Sequence, residues 1–274
     1  MKISLCNEVI RGLDFAAQCD LAAALGYDGL ELAPFTLGEN PHLFGERRCN
    51  ALRRAASDAG VEITGLHWLL VTPEGLSITS GDSKTRKMTL EVMRRLIDLC
   101  AALGGQVLVH GSPQQRLVGN DPDAAERGRD AFAAIAEDAE KANVVYCIEP
   151  LSHEETDFIT SVAEAADVVR TVNSPALKTM IDCRAAALTE ALPLPQLIEH
   201  WLPTDLISHV HLNDVNKRAP GQGEIAFGPV LHSLKKLGYS GVVGIEPFIY
   251  KTDGRTVAAR AIGYIHGLLE SLAG

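Results

Sequence analysis

Eight short apolar runs alternate with eight amphipathic stretches from one end of this 274-residue chain to the other. Strands are predicted near 2–6, 28–33, 61–66, 106–110, 144–149, 178–182, 207–212 and 242–246, where apolar and β-branched residues cluster. Between them lie helical patterns such as DFAAQCDLAAALG, SKTRKMTLEVMRRLIDLCAALGG and RTVAARAIGYIHGLLESLAG, whose apolar residues recur at three- and four-residue intervals. Gly26, Gly60, Gly104 and Gly238 stand where such patterns stop, the place for a left-handed C-terminal residue. Eight strand–helix units in a chain of about this length are what a (β/α)8 barrel requires. A doubly wound sheet is the alternative, but the first strand runs into LCNEVIRG and lacks the G-x-G-x-x-G turn of a dinucleotide fold. No linker or shift in composition divides the chain, so residues 1–274 are read as one α/β domain.

Four of the predicted strands end on a potential metal ligand. VVYCIE ends on Glu149, LKTMID on Asp182 and VVGIE on Glu246, while SHVHL places His211 one residue before its end. Strand C-termini converge at the mouth of a barrel, so these four become neighbours. Three carboxylates and an imidazole form an oxygen-rich set suited to one divalent ion, Mn2+ first, with Mg2+, Co2+ or Zn2+ also accommodated. A closed structural zinc site would use thiolates instead. Glu149 and Glu246 are each followed by proline, which fixes the chain just past the strand and helps aim the carboxylate. Such a pair allows one glutamate to remove a carbon-bound proton while the other returns one, with the ion polarising the adjacent carbonyl.

Two further strand ends are read as pocket lining. GLHW places His67 and Trp68 after the third strand, with Trp68 able to pack on the C–H face of a sugar. VLVHGSPQQR places His110, Ser112 and Arg116 after the fourth. Arg116, Arg184, Lys217 and Arg218 raise the question of a phosphate or carboxylate on the substrate. The PGQGE loop has the glycines of a tight turn or closing lid, without the Lys-Ser/Thr of a P-loop.

A net charge of −10 argues against nucleic acid as a partner, since phosphate backbones call for a basic surface. A small molecule is the expected partner instead. The six cysteines form no CxxC pair and several sit in apolar runs, so disulfides are not expected. MKISLC enters a strand at once and no apolar stretch is long enough to span a bilayer. The expectation is a cytoplasmic protein without a membrane partner.

Across almost the whole chain these segments resemble the xylose-isomerase-like TIM barrels, which include sugar phosphate isomerases and ketose 3-epimerases. The resemblance rests on LGYDGLEL, YCIEP, MIDC, HVHLND followed by RAPGQGEI, and GIEPF. It implies that Glu149, Asp182, His211 and Glu246 bind the metal and that Glu149 and Glu246 are also the catalytic acid/base pair. In ketose 3-epimerases a glutamate six residues after the first ligand contacts the carbonyl end of the substrate, here Glu155. A basic residue six after the metal histidine falls on Lys217, with Arg218 beside it. A histidine three residues after the metal aspartate belongs to that pattern too, and this chain has Ala185. The resemblance therefore implies a metal-dependent isomerase or epimerase of sugars or sugar phosphates, of the ketose 3-epimerase or aldose-ketose isomerase type and often homo-oligomeric, with Ala185 a departure from the strict ketose 3-epimerase pattern. Metal-assisted dehydration of sugar acids or dehydroshikimate is the alternative on the same scaffold. Apurinic-site endonucleases of this barrel group call for several metals, more histidines and a basic groove. A non-catalytic carbohydrate-binding module would not require an acid/base pair.

Overall fold

In a computed structural model, which describes residues 1–272, the eight apolar runs form a closed parallel barrel. Its strands are β1 (Lys2–Cys6), β2 (Gly29–Leu32), β3 (Glu62–His67), β4 (Val107–His110), β5 (Val145–Ile148), β6 (Leu177–Asp182), β7 (Ile207–Leu212) and β8 (Val242–Ile245). They follow one another in chain order around the barrel, and β8 pairs with β1 to close it. Each expected strand is present, with its ends displaced by no more than one residue.

The helices that return the chain are α1 (Phe15–Leu25), α2 (Glu46–Ala59), α3 (Ser83–Leu103), α4 (Ala124–Lys141), α5 (Val162–Val172), α6 (Cys183–Thr189), α7 (Leu194–Trp201), α8 (Phe227–Lys236) and α9 (Gly254–Ser271). Ala273 and Gly274, included in the expected last helix, lie outside the described residues. Asp14, Asp82, Ser161 and Asp253 cap α1, α3, α5 and α9 by accepting from backbone N–H groups of the first turn. Gly26, Gly60 and Gly104 close α1, α2 and α3 in the left-handed conformation. Gly238 is also left-handed but follows Leu237, the residue that ends α8.

The short helix α6 is absent from the periodicity reading, because CRAAALT is too short to show an amphipathic stripe. It starts directly on β6, and Asp182 is its cap: the side chain accepts from the Ala185 N–H at 2.7 Å. A strand-terminal carboxylate thus nucleates the helix that follows it.

Alternate strand residues face different layers, as the pleat requires. Leu108, Tyr146, Ile148 and Ile181 join the large core between strands and helices, whereas Val107, Val109, Cys147 and Met180 form a small separate cluster. All six cysteines are buried free thiols. No helix among the described residues is long and apolar enough to cross a membrane.

Candidate metal centre and active site

Barrel register brings the strand-end quartet together. Asp182 on β6 pairs with His211 on β7, and His211 pairs with Gly244 on β8, two residues before Glu246. Glu149 and Glu246 extend the ladder just past β5 and β8, their N–H groups bonding to the carbonyls of His110 and Leu212. One donor atom from each of Glu149, Asp182, His211 and Glu246 lies within 4.8 Å of the others, and all four side chains are buried.

Two glycines make room for this convergence. A Cβ on Gly111 would collide with the Glu149 carboxylate, so only glycine lets that carboxylate occupy its place. On Gly244 a Cβ would stand 2.7 Å from Glu31 Oε2 and 2.8 Å from His211 Cδ2, closer than real contacts allow.

The imidazole of His211 is oriented from below. Its Nε2 meets Glu31 Oε1 at 3.2 Å, while His209 Nε2 holds the other Glu31 oxygen at 2.9 Å. The Nδ1 atom therefore faces the carboxylates, 3.1 Å from Glu246 Oε2 and 3.5 Å from Glu149 Oε1, without a properly aligned hydrogen bond. A buried ring nitrogen facing two carboxylates, with its other nitrogen fixed by a third, is the arrangement of a metal-binding histidine.

Asn213, two residues beyond His211, ties the site together. It donates to Asp182 Oδ2 at 2.6 Å and to Glu246 Oε2 at 3.3 Å, and its oxygen accepts from the Arg184 N–H at 2.9 Å.

Titration reflects the crowding. Burial raises the Asp182 carboxyl well above the usual carboxylate range, and the nearby charges of Glu149 and Glu246 add to the effect. Burial also raises Glu149, with Glu246 contributing in the same direction and His211 opposing. Glu246 goes the other way. Burial would raise it, but His211 and His67 overcome that and pull it down to about 2. Buried carboxyls that raise one another's pKa values in this way would give up their protons to a divalent cation, and the donor set of hard oxygens and one imidazole fits such an ion.

A cleft of about 430 Å³, counted to its open mouth, lies over the quartet. Its lining includes Glu149, Asp182 and Glu246 together with Trp68, Glu155, Arg184 and Phe248. Trp68 stands edge-on to Phe35 and to Phe248, with ring centroids 5.4 and 6.0 Å away, and adopts a left-handed φ of 51°. That conformation is costly for a bulky residue and persists only where its surroundings impose it. A larger groove, about 1190 Å³, is lined by residues of α2 and α3 but contains none of the quartet.

Other residues read as pocket lining turn elsewhere. His67 is fully buried, with Nδ1 3.1 Å from Glu246 Oε1 and Nε2 3.0 Å from Glu8 Oε2. Burial would lower its pKa, but the facing carboxylates of Glu8 and Glu246 carry it up to about 10. His110 bonds to the Tyr146 hydroxyl at 2.7 Å, and burial beside Arg116 pushes it down to about 3. Arg116 is buried and donates to the backbone carbonyls of His110, Glu149 and Ile159, bracing the loop that carries Glu149. None of these three lines the cleft.

Lys217 and Arg218 are also absent from the lining. Lys217 is exposed with a left-handed φ, and its carbonyl accepts from the N–H groups of Phe248 and Ile249. The PGQGE segment is tied down rather than loose, because Asp214 accepts from the N–H groups of Glu224 and Ile225.

Glu155 does line the cleft, but it is paired. It accepts from Ser152 Oγ at 2.7 Å and from Arg184 Nη1 at 2.8 Å, and Arg184 also reaches Glu154 at 3.2 Å. Ala185, where ketose 3-epimerases have histidine, lies buried in the first turn of α6.

Sequence reasoning did not assign Glu8, Glu31, His209 or Asn213 to the site. The available signal was a charged or strongly polar residue inside or beside an apolar parallel strand, as in GLEL and HVHLN. Further sets of potential ligands, Cys6–Glu8–His67–Glu246 and Glu31–His209–His211, are also buried. Hydrogen bonds within them already link His67, Glu8 and Glu246, and Glu31 with both histidines.

Comparison with known proteins assigns the fold to a known family. The chain is 26% identical over 243 residues to a D-psicose 3-epimerase of Ruminiclostridium cellulolyticum, covering 86% of this chain and 79% of that one. It is 29% identical over 241 residues to a putative hydroxypyruvate isomerase of Streptomyces coelicolor, covering 82% of each. The fold superposes on a D-psicose 3-epimerase crystallised in the presence of D-fructose with a TM-score of 0.83, at 20% identity over the full length of both. Residues 19–267 match the family model for the xylose isomerase-like TIM barrel, and the chain belongs to that family.

Proposed function

We propose that this protein is a metal-dependent ketose epimerase or isomerase that exchanges a proton on the carbon next to a carbonyl, with Glu149 and Glu246 as the acid/base pair. The observation that carries this reading is the placement of two glutamates, from β5 and β8, around a cluster fit for a divalent ion and at one cleft. Glu149, Asp182, His211 and Glu246 would hold the ion, with Mn2+ the first choice for this donor set. When bound, it supplies the positive charge that acidifies the carbon acid beside the carbonyl.

The side chains perform the remaining tasks. Glu149 and Glu246 accept and return the proton from either side of the substrate. Trp68 and Phe248 offer apolar surface to its C–H groups and keep water from the reacting carbon. Glu155, held by Ser152 and Arg184, presents a fixed acceptor to substrate hydroxyls.

Charge in the cleft favours an unphosphorylated sugar. Arg184 is the basic side chain among its lining residues, and it is already paired with Glu154 and Glu155. Arg116, the other buried arginine near the mouth, is spent on backbone carbonyls. Among the residues lining the cleft, a phosphate would find no uncommitted basic side chain.

The test is deuterium incorporation from D2O into a panel of free ketoses, the corresponding ketose phosphates and 2-keto acids, with the Mn2+-loaded protein. Exchange next to the carbonyl of a free ketose is expected. Absence of exchange in every compound would sink the reading, whereas an ultraviolet chromophore without epimer formation would instead indicate dehydration.

A further inference from the structure

His67 was expected to touch substrate, yet it is buried behind the cleft and spans two carboxylates. We propose that His67 is a positioning residue: supported by Glu8, it holds one oxygen of Glu246 so that the other faces the metal cluster. The inference rests on the role given to Glu246 above.

The two oxygens of Glu246 are divided between separate partners. Oε1 lies 3.1 Å from His67 Nδ1, whereas Oε2 lies 3.1 Å from His211 Nδ1 and 3.3 Å from Asn213 Nδ2. A carboxylate that must face an ion and also exchange a proton needs its plane fixed, because a small rotation moves both oxygens off target. Glu149 has no comparable support among the described residues. Among its side-chain contacts, the 3.5 Å approach of His211 is the ion-pair contact, and its backbone carbonyl is what Arg116 holds.

Packing alone does not account for this chain of groups. His67 ends β3, and Glu8 lies in the single turn Asn7–Ile10 that follows β1. Glu8 is 2% exposed, and its Oε1 has no hydrogen-bond partner. Burying a carboxylate and an imidazole is costly, and an apolar pair would fill the same volume without that cost. The arrangement makes sense if its output is the orientation of Glu246, as carboxylate–histidine supports orient ligands elsewhere.

Two substitutions separate positioning from packing. In His67→Asn the amide nitrogen replaces Nδ1 and still reaches Glu246, whereas in His67→Gln it replaces Nε2 and reaches Glu8 instead. On a ketose that the wild type turns over, His67→Gln is expected to lower kcat by about 10- to 100-fold with KM nearly unchanged. His67→Asn should recover most of that loss. Mn2+ affinity, titrated separately, should follow the same order. Equal losses in both variants, or losses that simply follow Tm, would overturn the proposal.

Should both variants fail to fold, Glu8→Gln decides, because it keeps the imidazole and changes only its far partner. A several-fold drop in kcat at unchanged Tm supports positioning, and an unchanged kcat overturns it. If the wild type exchanges no ketose, the proposed function fails, while the order of Mn2+ affinities still judges the role of His67.

Discussion

Glu149 and Glu246 occupy the same tripeptide, Ile-Glu-Pro, at the ends of β5 and β8, yet their surroundings make them different acids. Burial raises Glu149, whose carboxylate nestles against the bare backbone of Gly111. Glu246 is held down to about 2 by two histidines despite equal burial. The difference comes from His211 on the adjoining β7 and His67 across the barrel on β3, and a local motif cannot encode it. Identical segments thus receive different proton affinities from the way the barrel closes.

The most severe way to break the comparison is to neutralise each glutamate in turn. Glu246→Gln and Glu149→Gln are each expected to reduce epimerisation by roughly 10²- to 10⁴-fold, read as product formation under saturating substrate. Each variant should retain proton exchange with the epimer that presents its hydrogen to the remaining glutamate. Loss of all exchange in both would refute a two-sided acid/base pair.

A second approach leaves both carboxylates in place and shifts one. Gly111→Ala puts a methyl group where the Glu149 carboxylate sits, so kcat should fall about 100-fold. Glu246 should keep its histidine contacts. Gly244→Ala instead presses on Glu31 and His211, and thermal unfolding should show it as less stable by about 1–3 kcal/mol.

Metal removal should cost stability as well as activity. At 100-fold excess over its Kd, a bound ion stabilises the fold by about 2.7 kcal/mol, so chelation should lower Tm by several degrees. A Tm indifferent to chelator and to added Mn2+ would mean that the quartet binds no ion.

The mildest effect, and the most discriminating, is the pH dependence of Mn2+ affinity. Glu149 and Asp182 have raised pKa values, so they take up protons while the pH is still above the usual carboxylate range. Protons compete with the ion there, and affinity should fall as pH falls through that interval. Glu246, at about 2, does not compete over the same interval. Titrations at a series of pH values should therefore lose part of their slope in Glu149→Gln, where Asp182 still competes, and the interval should move to lower pH in Glu246→Gln, where the charge that helps raise both groups is gone.

The barrel was legible because every strand carries its own signal: an apolar run bounded by polar or glycine positions. The quartet was legible for a related reason, since a strand's end places its last residues at the mouth. Side-chain direction was not. His67 and Arg116 sit at the right height, but one turns to carboxylates and the other to backbone carbonyls. Glu31 escaped notice because its partners, His209 and His211, are 178 and 180 residues away. A glutamate in a strand looks misplaced until closure supplies those imidazoles. Helix α6 was invisible because a carboxylate cap and one short turn leave no periodic trace.

The closing seam between β1 and β8 also sets a timetable. Glu246 follows the last strand, whereas its supports Glu8 and His67 follow or end the first and third, so the centre spans nearly the whole chain. During synthesis the four candidate ligands emerge in turn at similar intervals, Glu246 last. A partial barrel would offer Glu149, Asp182 and His211 without the group that completes the set. The four-residue set proposed to hold the ion would thus be complete only once the barrel closes, and a chain stalled early would present only part of it.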